Sequence, residues 1–248
     1  MKFSNLTLGL YPRLSGSGAS GPPDSLVAHW TLDEESGVRA DSLGTYDLTD
    51  DSAVGFTAGK LGNAASFDQD TFPFQSLFNT TDVLLPGTGD FSVTLWFRAN
   101  ATGFATKHVF GDANVTNGDP GSFSIQYGFS GDRIQFTVFD AGDAGTNSVE
   151  FSGLTRETWY FLACRYDAST QTVSAKLDNG APVSNVMLVG PRGVGVANTY
   201  VGGDGVGSSF AGEVDEVTVF NELLSDGQVA FMFGSGTPPE FPFAGFPG

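Results

Sequence analysis

The sequence predicts an all-β fold: a two-sheet antiparallel jelly-roll sandwich with one short C-terminal helix, an extended N-terminal arm and a Pro/Phe-rich C-terminal tail. Three observations carry this. Segments that alternate apolar and polar residues recur every 10–20 residues with glycine-rich turns between them, a spacing that suits a sandwich rather than βαβ units. Glycine is abundant (34) and charge is sparse (16%) in a chain of 248 residues that is 40% hydrophobic, enough to bury a sizeable core. A single stretch reads as a helix.

In chain order, residues 1–25 form an arm and linker. Leu14-Ser-Gly-Ser-Gly-Ala-Ser-Gly-Pro-Pro23 is a linker by composition. Ser4, Asn5, Thr7 and Gly9 interrupt the apolar run that a signal peptide needs. Leu6, Leu8 and Leu10 alternate, so the arm is expected to dock on a neighbouring subunit as an added strand. Residues 26–233 form the β-rich domain. Phe91, Val93, Leu95 and Phe97 share one face of a strand. Phe123–Tyr127, Arg133–Phe139, Trp159–Arg165, Thr172–Asp178 and Glu213–Phe220 read as further strands, with Asn179-Gly180 as a two-residue hairpin signal. Leu224–Phe233 is the helix, capped by Ser225 with Gln228 three residues on. Residues 234–248 are a tail whose prolines exclude helix and inner strand. Its Phe241, Phe243 and Phe246 are costly to leave in water, so they pack on the domain or on a partner.

Charge narrows the function. Acidic residues outnumber basic ones 28 to 11, a net charge of −17. Scattered bases do not make the cationic patch that nucleic acid requires, and no run is long enough for membrane insertion. One cysteine, Cys164, forms neither an intrachain disulfide nor a cysteine-based zinc cluster; mid-strand, it reads as a buried thiol. The two histidines, His29 and His108, lack metal-ligand spacing. Trp30, Trp96 and Trp159 read as core.

Six segments in order resemble one family. They are Trp30–Gly37 with Asp41-Ser42, Gly59–Phe67, Phe91–Phe97, Trp159-Tyr-Phe, Leu177-Asp-Asn-Gly180, and Phe210–Val217 followed by Leu224-Ser225. Together they are similar to the laminin-G-like, concanavalin A-like lectin/glucanase jelly rolls of non-catalytic type. The resemblance implies two face-to-face sheets, one of them concave.

It also frames the chemistry. Glu213-Val-Asp215 resembles half of the catalytic strand of laminarinase-like glycosidases. Positions 217 and 218 are Val and Thr, however, and strand alternation puts Glu216 on the opposite face. A glycosidase needs two carboxyls flanking one bond, so no enzyme is expected. Calcium (Ca2+) is the expected cofactor, because Asp33, Asp41, Asp215 and Glu216 lie in segments that the resemblance brings together and calcium takes clustered carboxylates. The bland alternative is that these groups bind backbone amides, Arg39 or Lys60. For glycan binding the candidates are the loop-proximal aromatics Phe104, Tyr127, Phe129 and Tyr200. The expected role is assembly: a structural component of a larger particle or fibre, such as a virion decoration or tail-associated protein, whose partners are other subunits contacted through Leu6, Leu8, Leu10, Phe241, Phe243 and Phe246. The alternative is a carbohydrate-binding module at an extracellular or cell surface; a glycoside hydrolase ranks last.

Overall fold

The computed structural model describes residues 21–68, 72–80, 84, 88–100, 106–111, 123–128, 131–139, 146–187, 190, 199–204 and 209–248. Among them the strands, in chain order, are β1 Leu26–Trp30, β2 Thr49–Asp51, β3 Gly55–Ala58, β4 Asn63–Phe67, β5 Ser76–Asn79, β6 Phe91–Ala99, β7 Lys107–Gly111, β8 Phe123–Tyr127, β9 Arg133–Phe139, β10 Thr146–Ser152, β11 Trp159–Asp167, β12 Thr172–Leu177, β13 Val183–Val186, β14 Thr199–Val201 and β15 Gly212–Phe220. An eight-stranded sheet runs β13-β12-β11-β6-β15-β4-β3, with β1 also against β15; a seven-stranded sheet runs β10-β9-β8-β7-β14-β5-β2. Every pairing is antiparallel. The fold is the expected all-β sandwich.

The main core lies between the sheets. Phe91, Val93, Leu95 and Phe97 enter it together, as their alternation requires, with Leu162, Cys164 and Tyr166 from β11. Cys164 is fully buried, and desolvation holds its thiol well above the usual range. The hairpin after β12 is longer than a two-residue turn. Gly180 donates to the Leu177 carbonyl at 2.9 Å, but pairing resumes only at Val183, because Pro182 has no N–H to give the ladder.

A second core covers the outer face of the larger sheet. Trp96 and Phe161, on the opposite faces of their strands from the residues above, pack with Phe220, Leu224, Val229, Met232 and Phe243. Helix α1, Asp226–Phe233, carries the expected capping box: the Gln228 N–H donates to Ser225 Oγ, and the Ser225 N–H donates to Gln228 Oε1 at 2.7 Å. Gly234 ends it in a left-handed conformation (φ 55°), and its N–H reaches the carbonyls of Ala230 and Phe231. The tail then folds back. Phe243 is 1% exposed, Phe246 stacks on Phe220 with centroids 5.6 Å apart, and Phe241 stacks on His29 at 5.5 Å. The tail is therefore seated on its own domain. Trp30 and Trp96 are buried as expected, whereas Trp159 is half-buried under the Arg98 guanidinium. A cleft of about 550 Å³ opens where Pro22 and Pro23 meet Phe246 and Pro247.

Candidate functional site

Strand β15 changes partner halfway along one edge. Gly212–Val214 pair with β4 and Val217–Phe220 with β1. Across its other edge the register with β6 slips between Asp215 and Thr218, and Glu216 sits at φ +50°. This β-bulge inserts one residue and breaks the alternation. Val214, Val217 and Val219 still enter the main core. Glu216, expected opposite Asp215, instead turns towards His29, whose ring contacts Phe241 and Phe243 of the second core.

The carboxyls at this junction hold backbone together. Asp215 Oδ2 accepts from the N–H of Lys60 at 2.6 Å and of Leu61 at 3.3 Å. Asp33 Oδ1 accepts from the Asn63 N–H at 2.6 Å. Glu216 Oε2 lies 2.8 Å from His29 Nε2. Asp215 Oδ1 and Glu216 Oε1 are buried without a hydrogen-bond partner. Burial pushes the Asp215 carboxyl up to about 8, assisted by the Glu216 charge and opposed by the two amides. Burial also raises Glu216, against the pull of His29.

Asp41 belongs to a different cluster. Its Oδ1 accepts from the N–H groups of His29 and Leu43, and its Oδ2 from those of Thr45 and Tyr46, at 2.9–3.2 Å. All four expected calcium ligands are thus engaged with backbone amides or His29, and among the described residues no group of three or more His, Cys, Asp or Glu side chains is arranged to hold a metal ion. Asp41 is thereby set apart from Asp33, Asp215 and Glu216, whose charges act on one another at the junction. Asp41→Ala leaves four donors without an acceptor and should cost roughly 3 kcal/mol or more, read from urea denaturation.

Glu213 is likewise engaged, accepting from Arg98 Nε at 2.8 Å and Asn100 Nδ2 at 2.7 Å.

The outer face of the smaller sheet has another character. Register places one residue from each strand in a single line across it: Ser148, Thr137, Ser124, Gly111, Tyr200, Phe78 and Thr49. A second line holds Glu150, Gln135, Gln126 and His108. Their strand neighbours Val149, Phe136, Ile125, Phe110 and Leu77 lie in the main core, so alternation turns both lines outward. Hydroxyls and carboxamides occupy one half, and the Tyr200 and Phe78 rings, with centroids 6.3 Å apart, occupy the other. Ser124, His108 and Thr137 are less than 5% exposed and Tyr200 is 8% exposed, so these side chains are covered in the folded protein. Ser124 Oγ and Ser76 Oγ have no hydrogen-bond partner, and the His108 ring faces the backbone carbonyls of Tyr200 and Gly111. Burial pushes His108 down to about 4, against the raising effect of the Asp204 charge, leaving a neutral imidazole with one donor and one acceptor.

The laminin-G-type model of the concanavalin A-like lectin/glucanases superfamily matches residues 75–230. The chain belongs to that superfamily. A search of the curated proteins finds no match. Among solved structures, domain 4 of the extracellular arabinanase AbnA from Geobacillus stearothermophilus, in complex with arabinotriose, is similar at 18% identity and a TM-score of 0.59, over 89% of this chain and 98% of that one. The ligand-binding domain of botulinum neurotoxin serotype D, in complex with N-acetylneuraminic acid, aligns at 10% identity and a TM-score of 0.63, over 88% of this chain and 55% of that one. A Trypanosoma rangeli sialidase in complex with sialic acid aligns at 14% identity and a TM-score of 0.60, over 87% of this chain and 34% of that one. These likenesses establish the fold.

Within this concanavalin A-like sandwich the expected glycan-contacting aromatics separate. Tyr200 stands in the outward line, beside His108 at 6.5 Å between centroids. Tyr127 does not: it faces the main core, with its hydroxyl donating to Asp132 at 3.0 Å. The reason is register, since Tyr127 lies two residues from core-facing Ile125. Phe104 and Phe129 lie outside the described residues, as do Leu6, Leu8 and Leu10 of the arm. Sequence reasoning missed Ser124, Thr137, His108 and Phe78. Alternation in Phe123–Tyr127 and Arg133–Phe139 already set Ser124, Gln126, Gln135 and Thr137 off the core face; what it lacked was the pairing that aligns them.

Proposed function

We propose that this protein is a carbohydrate-binding module that takes its ligand on the outer face of the seven-stranded sheet. One observation carries the reading: a register-aligned line of hydroxyls continuing into two aromatic rings, with buried polar atoms beside it that lack partners in the protein. Buried polar groups are nearly always paired, so orphaned ones call for a ligand or water. A sugar supplies what they need. Its hydroxyls both donate and accept, matching Ser, Thr, Gln and neutral His, and the apolar C–H face of its ring packs on an aromatic side chain. The carbohydrate complexes of the similar domains support the reading by analogy of fold. Such a module works where glycans are exposed, at an extracellular or cell surface, and it needs no catalytic carboxyl pair. Assembly on a particle has less support, because the tail phenylalanines offered for it are packed on their own domain.

A glycan array tests this. The full-length protein should retain a discrete set of glycans, and Ser124→Val and Tyr200→Ala should each weaken retention about tenfold or more, equivalent to roughly 1.4 kcal/mol. Binding unchanged in both variants would place the site elsewhere.

A further inference from the structure

We propose that the cleft at the root of the N-terminal arm is the receptor for the arm itself: residues 2–13 of the same chain turn back and seat there, which withholds Leu6, Leu8 and Leu10 from other molecules. The first argument is a prepared site. The cleft, about 550 Å³, has walls of Pro22, Pro23, Phe246 and Pro247. Helix α1, the tail and the approach to β1 hold it in shape. Gln228 of α1 donates to the Pro247 carbonyl at 3.1 Å and to Glu222 Oε1 at 3.3 Å. Ser25 Oγ donates to the same Glu222 oxygen at 2.6 Å. The Asn221 N–H donates to the Ser25 carbonyl at 2.9 Å, and the Leu26 N–H to the Pro23 carbonyl at 3.0 Å. Phe246 packs against both Phe220 and Phe231. Walls fixed in this way lose little conformational freedom when a segment lands on them.

The second argument is charge. Asp24 and Glu222 line the cleft, and no Lys or Arg does. Among the described residues neither carboxylate forms an ion pair. Such a recess repels anions and suits an apolar segment that carries positive charge. The arm is such a segment. Residues 1–20 contain Lys2 and Arg13 but no Asp or Glu, in a chain of net charge −17. Between the two bases stand Phe3, Leu6, Leu8, Leu10 and Tyr11. The bases answer Asp24 and Glu222, and the apolar side chains answer the prolines and Phe246.

The third argument is connection. Gly21 itself lines the cleft, so the arm joins the domain at the site it is to occupy. The segment from Leu14 to Ser20 is rich in glycine and serine, and a coil of that length spans roughly 15 Å, room for the chain to reverse. A tether so short gives its segment an effective concentration in the millimolar range. The arm of a neighbouring molecule, free at micromolar concentration, competes poorly against it. The occupant is therefore the chain's own arm and not that of a second copy.

Limited proteolysis of the full-length protein with thermolysin, which cuts beside large apolar residues, tests this. Mass spectrometry reads the fragments released from residues 1–20, and each rate is divided by that of the free peptide of residues 1–20. Asp24→Asn/Glu222→Gln keeps both side-chain shapes and removes both charges, and should speed cleavage of the arm about fivefold or more. Lys2→Glu/Arg13→Glu should do the same, and adding Asp24→Lys/Glu222→Lys to it should restore protection, which loss of fold could not. Salt at about 1 M, where charges are screened within about 3 Å, should bring the wild type towards the neutralised variant; this series needs no variant and so does not depend on any of them folding. Wild-type cleavage as fast as that of the free peptide, or protection indifferent to these charges and to salt, would overturn the inference. So would protection that grows with protein concentration alongside a rise in mass by light scattering, since the arm would then sit on a neighbouring molecule.

Discussion

Cutting the chain after Gly236 should strip the outer face of the larger sheet and destabilise the domain severely. The removed residues include Phe243, 1% exposed, and the half-buried Phe241 and Phe246. Without them, Phe220 loses its stacked partner and His29 both of its aromatic neighbours. Phe243→Ala alone should cost about 3–5 kcal/mol, the usual penalty for deleting a buried phenyl ring. Set against a typical domain stability of about 5–15 kcal/mol, that is a large share. Urea denaturation of the point variant measures the cost, and dye binding on the truncated protein reports the exposed apolar face. A point variant with an unchanged denaturation midpoint but an altered association state would return the tail to the role of partner contact. Loss of midpoint without any change in mass would mark it as a structural strap.

The second large effect is a loss of stability as pH rises, traced to Asp215. Its folded carboxyl titrates at about 8 because burial and the Glu216 charge outweigh the two amides that it accepts. Unfolded, the same carboxyl titrates in the ordinary range near 3.9. Between these values the native state holds a proton that the unfolded state has released, so stability falls as pH rises and the penalty is complete above about pH 8. Glu216 is raised in the same direction and adds to the slope. Asp215→Asn keeps an oxygen for the Lys60 and Leu61 amides and replaces the orphaned Oδ1 with a donor. The variant should therefore be more stable than wild type at pH 9 by about 2–3 kcal/mol, with the difference closing towards pH 5. Thermal denaturation of both proteins across that range measures it, and the difference between them cancels the general repulsion of an acidic surface. Parallel curves would mean that Asp215 is ionised throughout and paid for by a cation.

Much of this was legible in the chain. Strand β6 announced both of its faces: Phe91, Val93, Leu95 and Phe97 alternate with Trp96, and each set found its own core. The helix announced its start through Ser225 and Gln228, since a capping box is a contact three residues long. Glu216 was misread because strict alternation has no means of showing a bulge; the extra residue becomes visible only when β15 is laid against β6. Short strands such as β2 and β14, of three residues each, are below the length at which a period can be detected.

The candidate site divides in the same way. Local sequence determined that Ser124, Gln126, Gln135 and Thr137 turn away from the core, because successive side chains in a strand point to opposite faces. It likewise determined an all-β chain, an acidic surface and a capped terminal helix. Tertiary structure alone decided that Asp41 and Asp215 accept backbone amides, that the tail closes the larger sheet, and that Tyr200 continues the line begun at Ser148. Those outcomes depend on partners distant in the chain, 155 residues apart for Asp215 and Lys60 and further still for His29 and Phe243, and strand register across a sheet is set by long-range pairing that no local period encodes.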